Sequence, residues 1–123
     1  MLILPIPPKE LNPNVKIHFQ KKAKFFASYK MTVFRLARVI RPTFNEGKIH
    51  LFITLYPPNN NRRDADNFLS SFKAGIDGIA SAWDIDDRRF NPITVDILDK
   101  VEDGKIIVKY LQKPVDTESP MPY

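Results

Sequence analysis

Cysteine is absent from this 123-residue chain, which removes disulfides, thiolate metal sites and cysteine nucleophiles from consideration together. The same absence suits a reducing cytoplasm. Long apolar runs are missing as well, and no stretch approaches the roughly 20 residues that a membrane span requires. The opening, Met1 to Pro8, is apolar but short, carries no basic residue and is interrupted by prolines. It does not read as a signal peptide, so a soluble, cytoplasmic protein without a membrane partner is expected. Histidine is scarce: His18 and His50 are the two present, and their spacing makes no metal-ligand pair. Neither has a Ser or Cys partner in a nucleophile motif, so acyl transfer finds no support. Internal repeats and low-complexity tracts are lacking too.

What is present is enough for one domain. A domain of this size buries a modest core, which leaves room for an extended binding surface or self-association. The net charge of +5 is unevenly spread. Residues 1–63 hold twelve Lys/Arg and two acids, whereas residues 64–123 hold seven Lys/Arg and twelve acids. Six aspartates fall between Asp64 and Asp87. A basic half suits a polyanion such as DNA or RNA, or an anionic membrane surface. An aspartate cluster repels phosphate unless cations lie between carboxylate and phosphate. The pattern therefore points toward metal-assisted phosphodiester chemistry.

Periodicity supplies the elements. Residues 2–6 read as a strand stopped by Pro7-Pro8, and Lys9 to Asn14 as a turn. Phe26, Tyr29, Val33, Leu36 and Ile40 form one helical stripe, with Lys24, Arg35 and Arg38 on another face and Pro42 ending the helix near Arg41. Lys48 to Tyr56 is rich in β-branched and aromatic residues and predicts a strand, followed by a loop from Pro57 to Arg63. A second helix is expected from about Asn67 to Ala82, with Phe68, Leu69, Phe72, Ile76 and Ile79 buried. Trp83 to Arg89 reads as a polar turn. Ile93–Leu98 and Ile106–Leu111 read as strands joined near Asp103-Gly104 as a hairpin. The order β-α-β-α-β-β gives an α/β (mixed α+β) single domain over residues 1–113, helices packed on a mixed sheet. Residues 114–123, with three prolines, are expected to be a mobile tail.

Asp64-Ala65-Asp66 lies where a loop becomes a helix. In an extended stretch, residues two apart project to one side, so both carboxylates could converge. Oxygen ligands suit Mg²⁺ or Mn²⁺, and a third carboxylate could come from Asp86 or Asp87. A bound ion there would acidify a water and stabilise charge on a scissile phosphate. The plain alternative is that Asp66 caps the helix and the others are ordinary turn aspartates. Lys73 could place a cation near the phosphate or simply pair with Asp77 at i,i+4. Arg62, Arg63, Arg88 and Arg89 bracket the acidic cluster as candidate backbone contacts. Phe25, Phe26, Phe72 and Trp83 suit the core, and Phe19 or Phe90 could stack on DNA.

The run Arg62-Arg63-Asp64-Ala65-Asp66-Asn67, then a helix, then Asp86-Asp87 before a strand, resembles the RusA family of Holliday junction resolvases. The opening strand, Pro7-Pro8 and the polar turn carrying Asn12 and Asn14 are similar too, so the resemblance spans about residues 2–111. It is closest to the longer, phage- and prophage-encoded form. The resemblance implies a homodimer that nicks two strands of a four-way DNA junction symmetrically, in a bacterial or phage-infected cell. It implies Mg²⁺, with Mn²⁺ as a substitute, held by Asp64, Asp66 and Asp87. It further implies DNA contacts through the Lys9–Asn14 turn, Arg62, Arg63, Asn67, Arg88 and Arg89. Shorter members carry their functional lysine four residues after the second aspartate, which falls on Ser70 here. Aligning the helix end instead selects Lys73, about 10 Å along the helix from Asp66 and on roughly the same face. A nuclease for other branched or flapped DNA, or a non-catalytic DNA-binding module, would share most of these features.

Overall fold

The computed structural model describes residues 1–112. The proposed tail, residues 114–123, lies outside them. The chain runs β1 (Leu2–Leu4), a 3₁₀ turn at Lys9–Leu11, α1 (Phe19–Ala37), β2 (Ile49–Tyr56), α2 (Ala65–Ser71), α3 (Lys73–Trp83), a second 3₁₀ turn at Asp87–Arg89, β3 (Phe90–Ile97) and β4 (Lys105–Leu111). The strands form one mixed sheet in the order β1-β4-β2-β3. This is the expected α+β class, a single domain with three helices among the described residues.

Strict alternation along β2 decides which face of the sheet is covered. Ile49, Leu51, Ile53 and Leu55 are buried, while His50, Phe52, Thr54 and Tyr56 on the opposite face are half-buried. Ile106 and Val108 of β4 and Leu2 and Leu4 of β1 join the buried side. Tyr29, Val33 and Ala37 of α1 and Ile76, Ile79 and Trp83 of α3 complete the core. The buried stripe of α1 therefore ends on Ala37, whereas the expected Leu36 and Ile40 are exposed. The helix stops at Ala37, and the Trp83 indole N–H takes over its end by donating to the carbonyls of Ala37 and Ile40, both at 3.2 Å. Helices α1 and α3 touch closely at Gly78, where a Cβ would stand 2.6 Å from the Lys30 carbonyl and 3.1 Å from Val33 Cβ.

Two expectations need correction. The second helix is not continuous. It begins at Ala65, is interrupted at Phe72 (φ −90°, ψ 3°) and resumes as α3. Phe72 is fully buried, and its ring lies over Gly75, where a Cβ would come within 2.3 Å of it. Across the break the Phe72 N–H still reaches Phe68 O at 2.9 Å and the Ile76 N–H reaches Phe72 O at 3.1 Å. The predicted hairpin does not exist either. β2 lies between β3 and β4, parallel to the first and antiparallel to the second. The connecting segment passes around the end of β2, pinned by Leu98 N–H to Leu55 O and Val101 N–H to Pro57 O, each 2.9 Å. The parallel β2–β3 pair needs a long crossover, which α2 and α3 supply. The left-handed turn at Asp103 and Gly104 is real, but it delivers β4 to the far side of β2. Pro92, which cannot donate to a ladder, is accommodated on the edge strand β3.

Candidate functional site

The loop leaving β2 and the N-terminal turn meet across the end of the sheet. Between them lies a cavity of about 660 Å³. Its apolar lining comes from Ile6, Leu55, Pro58 and Phe68, and its polar lining from Lys9, Asn12, Asn14, Arg62, Arg63, Asp64 and Asn67. Residues chosen from two segments some fifty positions apart are thus brought to one place. The N-terminal wall is held by Asn12, whose side-chain oxygen accepts from the Asn14 N–H at 2.8 Å, and by the Tyr29 hydroxyl, which donates to Pro5 O at 2.6 Å. Such a concavity, within the roughly 300–1,000 Å³ common for ligand sites, combines an apolar floor with cationic and amide groups.

The arginines separate by what they already hold. Arg63 closes its own loop, donating to the carbonyls of Asn59 and Asn61 and to Asn59 Oδ1. Arg88 forms a fork onto the Asp86 carboxylate, with Nη2–Oδ2 at 2.7 Å. The Arg88 side chain and backbone N–H together pull Asp86 down to a pKa of about 2. Arg89 donates from Nε to Gly47 O at 2.8 Å and from Nη2 to Asn45 O, so it fastens the loop before β2. Arg62 is exposed and has no hydrogen bond or ion pair among the described residues. Of the four, Arg62 has its whole donor set available to a phosphate.

Asp64 is the N-cap of α2, its Oδ1 accepting from Asp66 N–H at 2.8 Å. Asp64 itself is extended (φ −108°, ψ 130°), but Asp66 is already in the first helical turn, so extended-strand alternation does not align the two. Asp64 lines the large cavity, whereas Asp66 lines a separate cleft with Leu69, Ser70 and Lys73. The cap is therefore Asp64, where the sequence suggested Asp66. Lys73 reaches the third aspartate: its Nζ lies 3.0 Å from Asp87 Oδ2 and 2.7 Å from Asp77 Oδ1. The hydrogen bond to Asp77 chiefly raises the Lys73 pKa, with Asp87 adding and desolvation opposing. Asp86 is engaged by Arg88, which leaves Asp87 as the member of the acidic pair that faces α3.

Among the described residues, no three His, Cys, Asp or Glu side chains lie close enough to share one ion. Asp64 lies at the start of α2, Asp66 in its first turn and Asp87 in the 3₁₀ turn after α3, where Lys73 holds it, and the three do not converge. Their chemistry nevertheless suits Mg²⁺, which commonly takes only one or two protein carboxylates and completes its shell with water and phosphate. Lys73 is itself a stand-in cation, already drawn between carboxylates. Asp77, which the sequence marks only by its i,i+4 spacing from Lys73, joins this group through that pair.

The aromatic candidates also divide. Phe90 is buried and touches Trp83 edge-on, which rules it out as a stacking platform. Phe19 is 73% exposed at the start of α1, stacked only on His18. His18 caps that helix, accepting from Gln20 N–H through Nδ1. His50 bonds Thr94 at 2.7 Å on the open face of the sheet. No helix among the described residues is long and apolar enough to cross a membrane.

No family model matches the chain. It is 39% identical over 95 residues to a protein of Xylella fastidiosa (strain Temecula1) that is described only as uncharacterized. The match covers 72% of this chain but only 61% of the length of that relative.

Proposed function

We propose that this chain is a metal-dependent endodeoxyribonuclease of the RusA type, nicking four-way DNA junctions as a homodimer in a bacterial or phage-infected cell. The observation that carries the reading is the shared cavity: the Lys9–Asn14 turn, Arg62, Asp64 and Asn67 line one concave site. Cationic and amide donors there suit a DNA backbone, and the neighbouring aspartates suit a divalent ion between carboxylate and phosphate.

In this reading Asp64, Asp66 and Asp87 are the candidate oxygen ligands, of which one ion would take one or two, because the three do not converge. Mg²⁺, with Mn²⁺ as a substitute, would provide an acidified water and charge stabilisation at the phosphate. The chain's own groups do the rest. Arg62 and Lys9 hold backbone phosphates, Asn12, Asn14 and Asn67 offer neutral hydrogen bonds, and Lys73 adds positive charge beside the scissile group. Arg63, Arg88 and Arg89 have fewer donors to offer DNA, because their guanidinium groups are largely committed to the protein. Two symmetric nicks need two sites at a fixed distance, which a twofold dimer provides. Branch preference then follows from shape, since phosphate contacts carry little sequence information.

A non-catalytic DNA-binding module is the second reading. It is favoured by the duties the aspartates already perform: Asp64 caps α2, Asp86 holds Arg88 and Asp87 holds Lys73. Cleavage of a synthetic four-way junction, a flap, a fork and a matched linear duplex, with Mg²⁺, Mn²⁺ or chelator, separates the possibilities. Paired metal-dependent nicks confined to the junction are expected. Cuts in flaps and forks as well would make it a broader branched-DNA nuclease. Tight junction binding without cuts under either metal would leave the binding module.

A further inference from the structure

Between Glu10 and Glu46 the sequence holds eight Lys/Arg and no acid. That stretch contains α1, which therefore has no carboxylate of its own to pair its cations. At about 3.6 residues per turn, Lys21, Lys24, Arg35 and Arg38 fall within about 100° of the helix circumference. This sector lies opposite Tyr29, Val33 and Ala37, the residues that α1 buries. All four cations are exposed, and none makes an ion pair or a side-chain hydrogen bond among the described residues. Lys30 stands apart from them, half-buried beside the acidic cleft of Asp77 and Asp84. Resting on the DNA-binding part of the reading above, but on no metal and no cleavage, we propose that the outward side of α1 grips the phosphate backbone of a duplex arm.

The stability of the helix does not account for this arrangement. The first turn of α1 has no acid, and Lys21, Lys22 and Lys24 crowd an N-terminus where the helix dipole disfavours cations. Lys21 and Lys24, like Arg35 and Arg38, are like charges at i,i+3 and repel each other. Interleaved glutamates would relieve both effects, and α1 has none. A polyanion supplies the missing negative charge from outside. Position agrees with charge. Lys22 Nζ donates to Asn12 O at 3.5 Å, so α1 begins against the wall of the large cavity. Its other end meets Trp83, which packs on Phe90 and Tyr110 beside the start of β2. The helix thus runs the length of the sheet, with the Lys21–Lys24 pair at the cavity end. The two cation pairs stand about 16 Å apart along it. That spacing exceeds the roughly 12 Å width of a B-DNA major groove, so each pair can meet the backbone on one side of it. An anionic membrane fits less well. α1 buries its apolar side in the core and shows one large apolar group, Met31, on the outward side between the pairs.

Fluorescence anisotropy of the full chain with a labelled four-way junction and a labelled linear duplex, in chelator over a range of salt, tests this. Lys21→Gln with Lys24→Gln, and separately Arg35→Gln with Arg38→Gln, should each lower the slope of log affinity against log salt by about two. In about 0.1 M salt each double variant should bind about tenfold more weakly, or worse. Arg35→Lys with Arg38→Lys should keep the wild-type slope, because the charges remain. Lys109→Gln, on the sheet face turned away from the helices, should keep it too. Thermal melts guard against misfolding: the Lys21→Gln, Lys24→Gln variant should melt no lower than wild type, since it removes cations from a helix N-terminus. Unchanged slopes in both Gln double variants, with wild-type binding intact, would overturn the α1 path and leave the DNA reading standing. A loss confined to one pair would overturn the two-sided grip, and an equal loss per charge in Lys109→Gln would reduce the effect to net charge. Tighter binding to phosphatidylserine vesicles than to duplex, lost in the same variants, would reassign the face to a membrane. A wild-type chain with no salt-dependent affinity for either DNA would sink the DNA reading and the α1 path together.

Discussion

The phenol of Tyr29 donates to the carbonyl of Pro5 at 2.6 Å, tying the middle of α1 to the chain just beyond β1. This bond fixes the segment that becomes the Lys9–Asn14 wall of the cavity, so a core residue supports the candidate DNA-binding face. Burial pushes the Tyr29 hydroxyl well above the ordinary phenol range. An acid raised in the folded state contributes stability that is complete below its unfolded pKa, near 10 for tyrosine, and is lost as pH rises toward the folded value. Tyr29→Phe should therefore cost about 1 kcal/mol at neutral pH. The difference from wild type should shrink above about pH 10, where only the wild type loses this component. Urea midpoints at several pH values check this, and a gap that stayed constant through pH 11 would refute it.

The contact at Gly78 pits helix propensity against packing. Alanine is the better helix former by about 1 kcal/mol. A methyl group there, however, meets the Lys30 carbonyl at 2.6 Å, which is backbone and cannot step aside. Gly78→Ala should destabilise by about 1–3 kcal/mol by forcing α1 and α3 apart. A higher denaturant midpoint in this variant would mean that the two helices separate easily.

The acidic residues should not respond alike. Asp66→Asn should lower junction cleavage by about a hundredfold or more while leaving junction affinity in chelator unchanged. Asp86→Asn should cleave normally, because Asp86 is occupied by Arg88 while Lys73 bonds Asp87. Single-turnover cleavage alongside gel-shift binding distinguishes the two. An inactive Asp86→Asn with an active Asp66→Asn would invert the proposed ligand set.

The arginines divide in the same way. Arg62→Ala should weaken DNA binding and lower the slope of log affinity against log salt by about one. Arg89→Ala should instead cost about 1 kcal/mol of stability by removing its bonds to the carbonyls of Gly47 and Asn45. Salt titrations of binding and thermal melts, run on both variants, tell the roles apart. A salt slope unchanged in Arg62→Ala would remove that residue from the phosphate path.

Local chemistry, readable from the sequence alone, determined most of the elements. β-branched alternation marked β2, the 3- and 4-residue spacing of Phe26, Tyr29 and Val33 marked α1, and the composition around Asp64 marked a polar loop opening a helix. These signals depend on neighbours within a turn or two, and such interactions leave periodic traces. The same residues could not reveal which strand lies beside which. Asp103-Gly104 looks like a hairpin turn whether or not its flanking strands pair, and only the sheet order placed β2 between them. Nor could they reveal the break at Phe72, which exists because one ring fits over Gly75 in a shared core. For the candidate site, the residue types were legible but their partners were not. Arg62 and Arg89 are the same residue type beside the same acidic cluster, yet one is unengaged and the other bonds carbonyls more than forty positions away. Long-range packing made that choice, because it decides which charges meet a protein partner and which remain open to a ligand.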